Sequence, residues 1–136
     1  MTFNGKILIV DDEPHVRLYV SMILRSLGFS TCIEASNGRE AIECYEREKP
    51  DLVLLDINMP VMDGFETLKQ IRAINHEAVV IMLTSLANRH SVEESAQLGA
   101  VYYLRKDTPR LVIINELRDI LQSAFDTDIP APSPAP

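Results

Sequence analysis

The sequence predicts an α/β protein with a doubly wound sheet of five parallel strands, covered on both faces by five helices in three layers. Short apolar runs alternate with segments whose apolar residues recur at helical spacing, from one end of the chain to the other. Glycine and proline stand near many segment ends and keep the connections short. Strict alternation with short connections is typical of a parallel sheet between two helical layers.

The first strand–helix unit begins with the apolar run 6–10. Asp12 before Glu13-Pro14 predicts a helix with an aspartate N-cap and a proline in its first turn. Gly28 predicts the end of this helix. Its expected apolar stripe consists of Val16, Val20, Leu24 and Leu27.

The second unit is expected to have a strand over 31–35 and a helix over 38–48. The helix should end there because Pro50 disfavours helical backbone at the residue before it. Cys32 falls in the strand and Cys44 in the helix, at no metal or redox spacing, so we expect two reduced core thiols.

The third and fourth units follow the same plan. Strands are expected over 51–55 and 78–83, and the second of these is continuously apolar, as in a central strand covered on both faces. The breaker-rich loop 58–64 precedes the third helix, and the fourth helix is expected over 88–98 before Gly99. The third helix is marked by Phe65, Leu68 and Ile71.

The fifth unit has a strand over 101–104 and a last helix through about Phe125, with Thr108-Pro109 as N-cap and first-turn pair. We expect one folded domain over 1–126, followed at 127–136 by an extended Pro/Ala-rich tail or a truncated linker. The expected apolar stripe of the last helix is Val112, Ile113, Leu117, Ile120 and Leu121.

Composition restricts the class of protein. The chain has 136 residues, 46% of them apolar, which is typical of one globular domain with a real core. A net charge of -7 and a pI near 4.9 disfavour nucleic-acid binding by this chain alone. No run approaches a membrane span and the N-terminus does not resemble a signal peptide, so a cytoplasmic location is expected.

Reactive or charged side chains follow four of the predicted strands. Asp11 and Asp12 follow the first, Asp56 the third, Thr84 closes the fourth, and Lys106 follows the fifth. The carboxyl ends of parallel strands share one edge of a sheet, so these groups should converge in one crevice. Three carboxylates there would repel one another by about 4 kcal/mol per pair at an effective dielectric near 20, so they would take up protons or bind a cation, and we favour a divalent cation.

The chemistry of this set indicates magnesium and phosphoryl transfer. All candidate ligands are oxygens, and no Cys or His stands at ligand spacing, so Mg²⁺ fits better than zinc or an iron–sulfur cluster. A carboxylate can act as the nucleophile and become an aspartyl phosphate. The acceptor would then be Asp56 itself, with a hydroxyl and a lysine beside it.

Each of these residues also has a plainer interpretation. Asp12 could be only a helix N-cap, Thr84 an ordinary strand residue, and Lys106 a solvated surface lysine. Tyr103 could be a packed aromatic residue or part of a switch. Tyr102 should face the opposite side of the strand and serve in packing. Asp56 is harder to dismiss, because a carboxylate directly after a buried strand is costly unless it is paired or metal-bound.

These motifs together resemble the receiver domain of two-component response regulators, and in size and plan the stand-alone chemotaxis receiver. The resemblance covers about residues 5 to 125 and implies a flavodoxin-like fold with strand order 2-1-3-4-5. It is carried by Asp11-Asp12, Leu54-Leu55-Asp56-Ile57-Asn58-Met59-Pro60 with Asp63-Gly64, Thr84-Ser85, and Tyr103 three residues before Lys106.

The resemblance implies a role for each matching residue. A histidine kinase or histidine phosphotransfer protein would donate a phosphoryl group to Asp56. Magnesium, or Mn²⁺ as a substitute, would be held by Asp12, Asp56 and the backbone carbonyl of Asn58, with Asp11 helping through water. Two further residues, Thr84 and Lys106, would contact the phosphoryl oxygens.

The resemblance also implies a switch rather than an enzyme acting on other molecules. Thr84 would move toward the phosphoryl group and Tyr103 would turn inward, reshaping the surface of the fourth helix, fifth strand and fifth helix. That surface would control a downstream protein or a fused effector domain, with the chain a monomer or a phosphorylation-linked dimer in a phosphorelay. Phosphotransfer and dephosphorylation would act only on the domain itself.

One departure from the family pattern leaves other functions open. Receivers usually have a proline in a cis peptide after the lysine, but here Asp107 follows Lys106, so the bond is either a strained cis peptide or trans. Asp107 suggests a receiver-like module that docks without phosphorylation. A magnesium phosphohydrolase with Asp56 as nucleophile is a further alternative, although Asn58 stands where the haloacid dehalogenase family has a second aspartate.

Overall fold

The computed structural model describes residues 5–29, 31–85 and 88–125. Within that part of the chain, no helix is both long enough and apolar enough to cross a membrane. The expected tail at 127–136 lies outside the described residues. The elements in chain order are β1 (Ile7–Val10), α1 (Pro14–Ser26), β2 (Cys32–Ala35), α2 (Gly38–Glu48), β3 (Leu52–Leu55), α3 (Gly64–Ile74), β4 (Val80–Thr84), α4 (Arg89–Gln97), β5 (Tyr102–Arg105) and α5 (Arg110–Phe125).

The five strands form one parallel sheet in the order β2-β1-β3-β4-β5, which confirms the predicted fold class and strand order. The register aligns Val10 of β1 with Leu55 of β3, so the residues that follow these strands are neighbours. Likewise Thr84 of β4 is aligned with Arg105 of β5. The sheet therefore brings the functional candidates to one edge.

Two apolar clusters, one on each face of the sheet, hold the layers together. The helices α1 and α5 pack on one face, and α2 and α3 on the other. In the three central strands β1, β3 and β4, alternate residues point to opposite clusters, so these strands are buried on both faces and are almost entirely apolar. Both cysteines are free thiols, as predicted, and burial raises the pKa of Cys32.

Several predicted boundaries are displaced by about one residue. The strand β4 continues to Thr84 because the backbone N–H of Lys106 still donates to the Thr84 carbonyl, at 2.9 Å. The helix α4 begins after Asn88, whose side chain accepts from the Ser91 N–H at 2.8 Å. In α5 the carbonyl of Pro109 accepts the first helical bond, so the helix begins at Arg110, one residue later than predicted.

The predicted N-cap of α1 was wrong. Glu13 rather than Asp12 occupies the cap position, because the Glu13 carbonyl accepts from the N–H groups of Val16 and Arg17. The predicted end was correct in kind. Gly28 adopts φ 97°, and bonds from its own N–H and that of the next residue close the last turn.

Two predictions about packing also failed, one on α5 and one on β5. Val112 is 45% exposed, whereas Ile114 is buried on the core side of α5. Tyr102 does face α5, as strand alternation requires, but it stays 46% exposed. Tyr102 stays exposed because β5 lies at the edge of the sheet, where helices cover the strand incompletely.

The loop between β3 and α3 folds back onto the end of β3. The backbone N–H of Gly64 donates to the carbonyl of Ile57 at 2.7 Å. A Cβ atom on Gly64 would overlap the Asp56 carbonyl oxygen and lie 2.7 Å from Ile57 Cα. Only glycine lets the start of α3 approach the backbone of Asp56 this closely.

We therefore expect Gly64→Ala to lower the free energy of unfolding by about 3 kcal/mol, since the obstructing atoms belong to the main chain and cannot rotate away. The matched control is Gly28→Ala, at a glycine with no atom within 4 Å of the added Cβ. The control should cost about 1 kcal/mol, from its left-handed backbone alone. Urea denaturation measures both, and equal losses would contradict the steric argument.

Candidate functional site

Two buried carboxylates stand at the ends of adjacent strands. Asp11 follows β1 and is 2% exposed, and Asp56 follows β3 and is 4% exposed. Asp11 Oδ1 accepts from the Glu13 N–H at 2.9 Å, and Asp56 Oδ1 accepts from the Ile57 N–H at 2.8 Å. Each side chain is thus oriented by the local backbone, with its other oxygen directed to a common partner.

That partner is the ammonium group of Lys106, which follows β5. Lys106 Nζ lies 2.6 Å from Asp11 Oδ2 and 3.2 Å from Asp56 Oδ2. Glu13 Oε1 is 3.8 Å away. The β4–β5 pairing continues to the backbone N–H of Lys106 and so holds this residue at the end of the sheet. From there its side chain contacts the residues that follow β1 and β3. Its plainer interpretation as a solvated surface residue is wrong, because its side chain is only 16% exposed.

Asp107 stands where receivers usually have a proline, and its charge is paired with the nearby Arg105. No cis peptide occurs among the described residues, so the Lys106–Asp107 bond is trans. The Asp107 carboxylate pairs with Arg105 through two hydrogen bonds of 2.9 and 2.7 Å. This bidentate pair satisfies the extra negative charge at the surface, away from the interactions of Lys106 with Asp11 and Asp56.

A third carboxylate completes an acidic cluster. Asp12 is exposed, and each of Asp11, Asp12 and Asp56 offers one oxygen within 4.8 Å of the others. All the donors are oxygens, and their negative charges outnumber the single ammonium, so the cluster fits a hard divalent cation such as Mg²⁺. Asn58, whose carbonyl was predicted as a ligand, lies two residues after Asp56 in an exposed position.

The two predicted switch residues lie on the adjacent strands β4 and β5. Thr84 is fully buried at the end of β4, between the strands that lead to Asp56 and Lys106. Tyr103 is partly buried and packs against the cluster beneath α2 and α3. Burial raises the pKa of Tyr103, Arg105 opposes this, and the charge of Asp56 adds to it.

Sequence reasoning missed Glu13, which it treated only as part of a helix start. Its carboxylate reaches toward Lys106 from the N-cap position of α1. The run of three acidic residues, Asp11-Asp12-Glu13, was the available signal.

The electrostatics of the site oppose the charged form of Asp56. The pKa of Asp56 is raised from 3.8 to about 6: burial is the largest cause, Lys106 opposes it, and the nearby Asp11 adds to it. For Lys106, burial is the largest single effect and lowers the pKa. The hydrogen bonds and charges of Asp11 and Asp56 together outweigh burial, so the net pKa of Lys106 is raised. The ammonium thus stays charged while Asp56 titrates near neutrality.

The raised pKa makes metal-free protein less stable as pH increases. Folded Asp56 binds its proton more tightly than unfolded aspartate, so its contribution is fully present below about pH 4 and is lost as pH rises through about 6. We expect Asp56→Asn to raise the free energy of unfolding at pH 7.5 in EDTA by about 1–3 kcal/mol, with the gain vanishing near pH 4.

Urea denaturation at several pH values measures this difference. Asp119→Asn, which removes an exposed carboxylate on α5, should change stability by no more than about 0.5 kcal/mol at any pH. A gain for Asp56→Asn that does not depend on pH would contradict the assignment of the effect to ionisation.

The comparisons of this chain with known proteins agree with one another. The family model for the response regulator receiver domain matches residues 7–118. Sporulation initiation phosphotransferase F of Bacillus subtilis is 37% identical over 119 residues, covering 88% of this chain and 92% of the relative. Chemotaxis protein CheY of the same organism is 41% identical over 101 residues, covering 74% of this chain and 84% of the relative.

The fold agrees with solved structures of the same kind. CheY in the CheX–CheY–BeF3–Mg²⁺ complex from Borrelia burgdorferi superposes with a TM-score of 0.82 at 30% identity, covering 88% of this chain and 90% of that chain. The family match spans most of the chain and agrees with the fold and the acidic site. The protein therefore belongs to the response regulator receiver domain family of two-component signalling.

Proposed function

We propose that Asp56 accepts a phosphoryl group from a histidine kinase or a histidine phosphotransfer protein in a Mg²⁺-dependent reaction. The observation that carries this proposal is the geometry of Asp56, a carboxylate 4% exposed at a strand end with Lys106 Nζ 3.2 Å from its outer oxygen. A buried carboxylate held beside a fixed ammonium is suited to become an acyl phosphate, because the ammonium can offset the added charge.

In the proposed step, an Asp56 oxygen forms a bond to phosphorus as the bond from phosphorus to the donor's imidazole nitrogen breaks. The Ile57 N–H holds Oδ1, so Oδ2 is the oxygen that the carboxylate presents beside Lys106. Asp12, Asp56 and the Asn58 carbonyl would hold the magnesium ion, and Asp11 would assist through water. When bound, the ion would offset negative charge on the phosphoryl oxygens.

The same proposal assigns the switch to Thr84 and Tyr103. Thr84 would bond a phosphoryl oxygen, and Tyr103 would turn inward, changing the surface formed by α4, β5 and α5. That surface carries exposed apolar residues, Val101 and Tyr102 among them, which suit a protein target. The output would be a downstream protein or an effector domain, with the chain a monomer or a phosphorylation-linked dimer.

The remaining parts of the proposal concern boundaries and turnover. The receiver unit would span 1–126, and the Pro/Ala-rich segment 127–136 would be a tail or linker. The domain would act in the cytoplasm and catalyse only its own phosphorylation and dephosphorylation. Phosphorylation-independent docking has less support, because Asp107, which suggested it, is paired with Arg105 rather than directed at Lys106.

Intact mass spectrometry after incubation with Mg²⁺ and acetyl phosphate tests the central step. We expect one phosphoryl adduct per chain, dependent on Mg²⁺ and absent in Asp56→Asn. Asp63→Asn is the matched control, since this aspartate caps α3 in the neighbouring loop and should leave the adduct in place.

An adduct that persists in Asp56→Asn would place the acceptor elsewhere. Absence of both the adduct and Mg²⁺ binding in the wild-type protein would favour the docking module. Multiple turnover of small phosphomonoesters would instead favour the phosphohydrolase.

A further inference from the structure

The helix α4 rests on the sheet through serines rather than large apolar side chains. Its buried residues are Ser91 and Ser95, one turn apart, which are 4% and 1% exposed. By contrast, α5 buries five apolar side chains. Because burial of apolar surface is what holds a helix on a sheet, α4 gains less from its position than α5 does.

One of these serines lacks a hydrogen bond. Ser95 Oγ is buried and finds no partner among the described residues. A buried hydroxyl without a partner is costly, so a conformation that supplies a partner is favoured relative to this one. A polar side chain that enters the space beside Ser95 would supply such a partner.

Such a space exists between α4 and β5. A cavity of about 330 Å³ is lined by Val92, Ser95 and Ala96 of α4, by Ala100, and by Tyr103 of β5. The alanines leave room between the helix and the strand. Tyr103 is partly buried and lines this cavity. Tyr102 lines this cavity and also a second pocket, between β5 and α5.

We propose that the Ser95 hydroxyl is the hydrogen-bond partner of the Tyr103 phenol in the activated state, when the ring fills the cavity between α4 and β5. Ser95 is then a positioning residue that sets the balance between the two states of the switch. This inference rests on the proposed function, in which phosphorylation of Asp56 turns Tyr103 inward.

Two considerations link Tyr103 to the cavity beside Ser95 and to Asp56. A strand residue has two common χ1 rotamers, so the ring can change position without moving β5. The charge of Asp56 is already among the causes of the raised pKa of Tyr103, after burial, so the phenol lies within electrostatic range of the acceptor. A more negative group at Asp56 therefore changes the electrostatic environment of the Tyr103 phenol.

Fluorine NMR of the full chain labelled with 3-fluorotyrosine tests the inference. Beryllofluoride with Mg²⁺ serves as the phosphoryl analogue, and Tyr103→Phe assigns the resonance by its loss. On loading, the wild-type Tyr103 signal should move toward a buried position. In Ser95→Ala the ratio of inward to outward populations should fall by about 2- to 10-fold, as expected for loss of one hydrogen bond.

Ser91→Ala is the matched control, a buried serine one turn away on the same helix, and it should behave as wild type. Equal Tyr103 populations in loaded wild type and Ser95→Ala would overturn the inference while leaving the proposed function intact. Absence of a bound-beryllofluoride signal in the wild type would overturn the proposed function and this inference with it.

Discussion

The site depends on one ammonium group placed between two buried carboxylates. Asp11 and Asp56 end adjacent strands and are almost completely shielded from water, so their charges would repel strongly without Lys106. Removing the ammonium would leave both buried carboxylates without a counter-charge, and a loss of that kind typically costs about 3–5 kcal/mol. The strand register fixes the backbone positions of the residues that follow β1, β3 and β5. The three side chains therefore meet without distortion of the backbone.

A second constraint is the loop that returns the chain to the sheet after Asp56. Val61 has φ 74° and the Met62 N–H donates to the Pro60 carbonyl at 2.8 Å, which is a γ-turn around a β-branched residue. Such backbone is strained and persists only when its surroundings determine it. Here both ends of the loop are fixed by the close contact of Gly64 with the end of β3.

The parts of this structure that follow from local chemistry were predictable from sequence. Apolar runs ending in Asp56 and Lys106 implied strands, and parallel pairing implied that their ends converge. The pairing of Asp107 with Arg105 was not predictable, because it depends on where the Arg105 side chain points. The sequence also did not predict that the Ser95 hydroxyl is buried without a partner among the described residues, because serine is mostly exposed in proteins.

A switch needs an element whose two positions differ by only a few kcal/mol, since a phosphoryl group can supply no more than its differential interaction with them. Most of the molecule does not meet this condition, because α1 and α5 share a continuous apolar core with the central strands. The helix α4 buries only serines, so it has less apolar packing to lose, and it adjoins the strand that leads into Lys106. Under the proposed function, chemistry at Asp56 and change at the α4–β5 surface would be joined by α4, the helix of the described chain that buries no large apolar side chain.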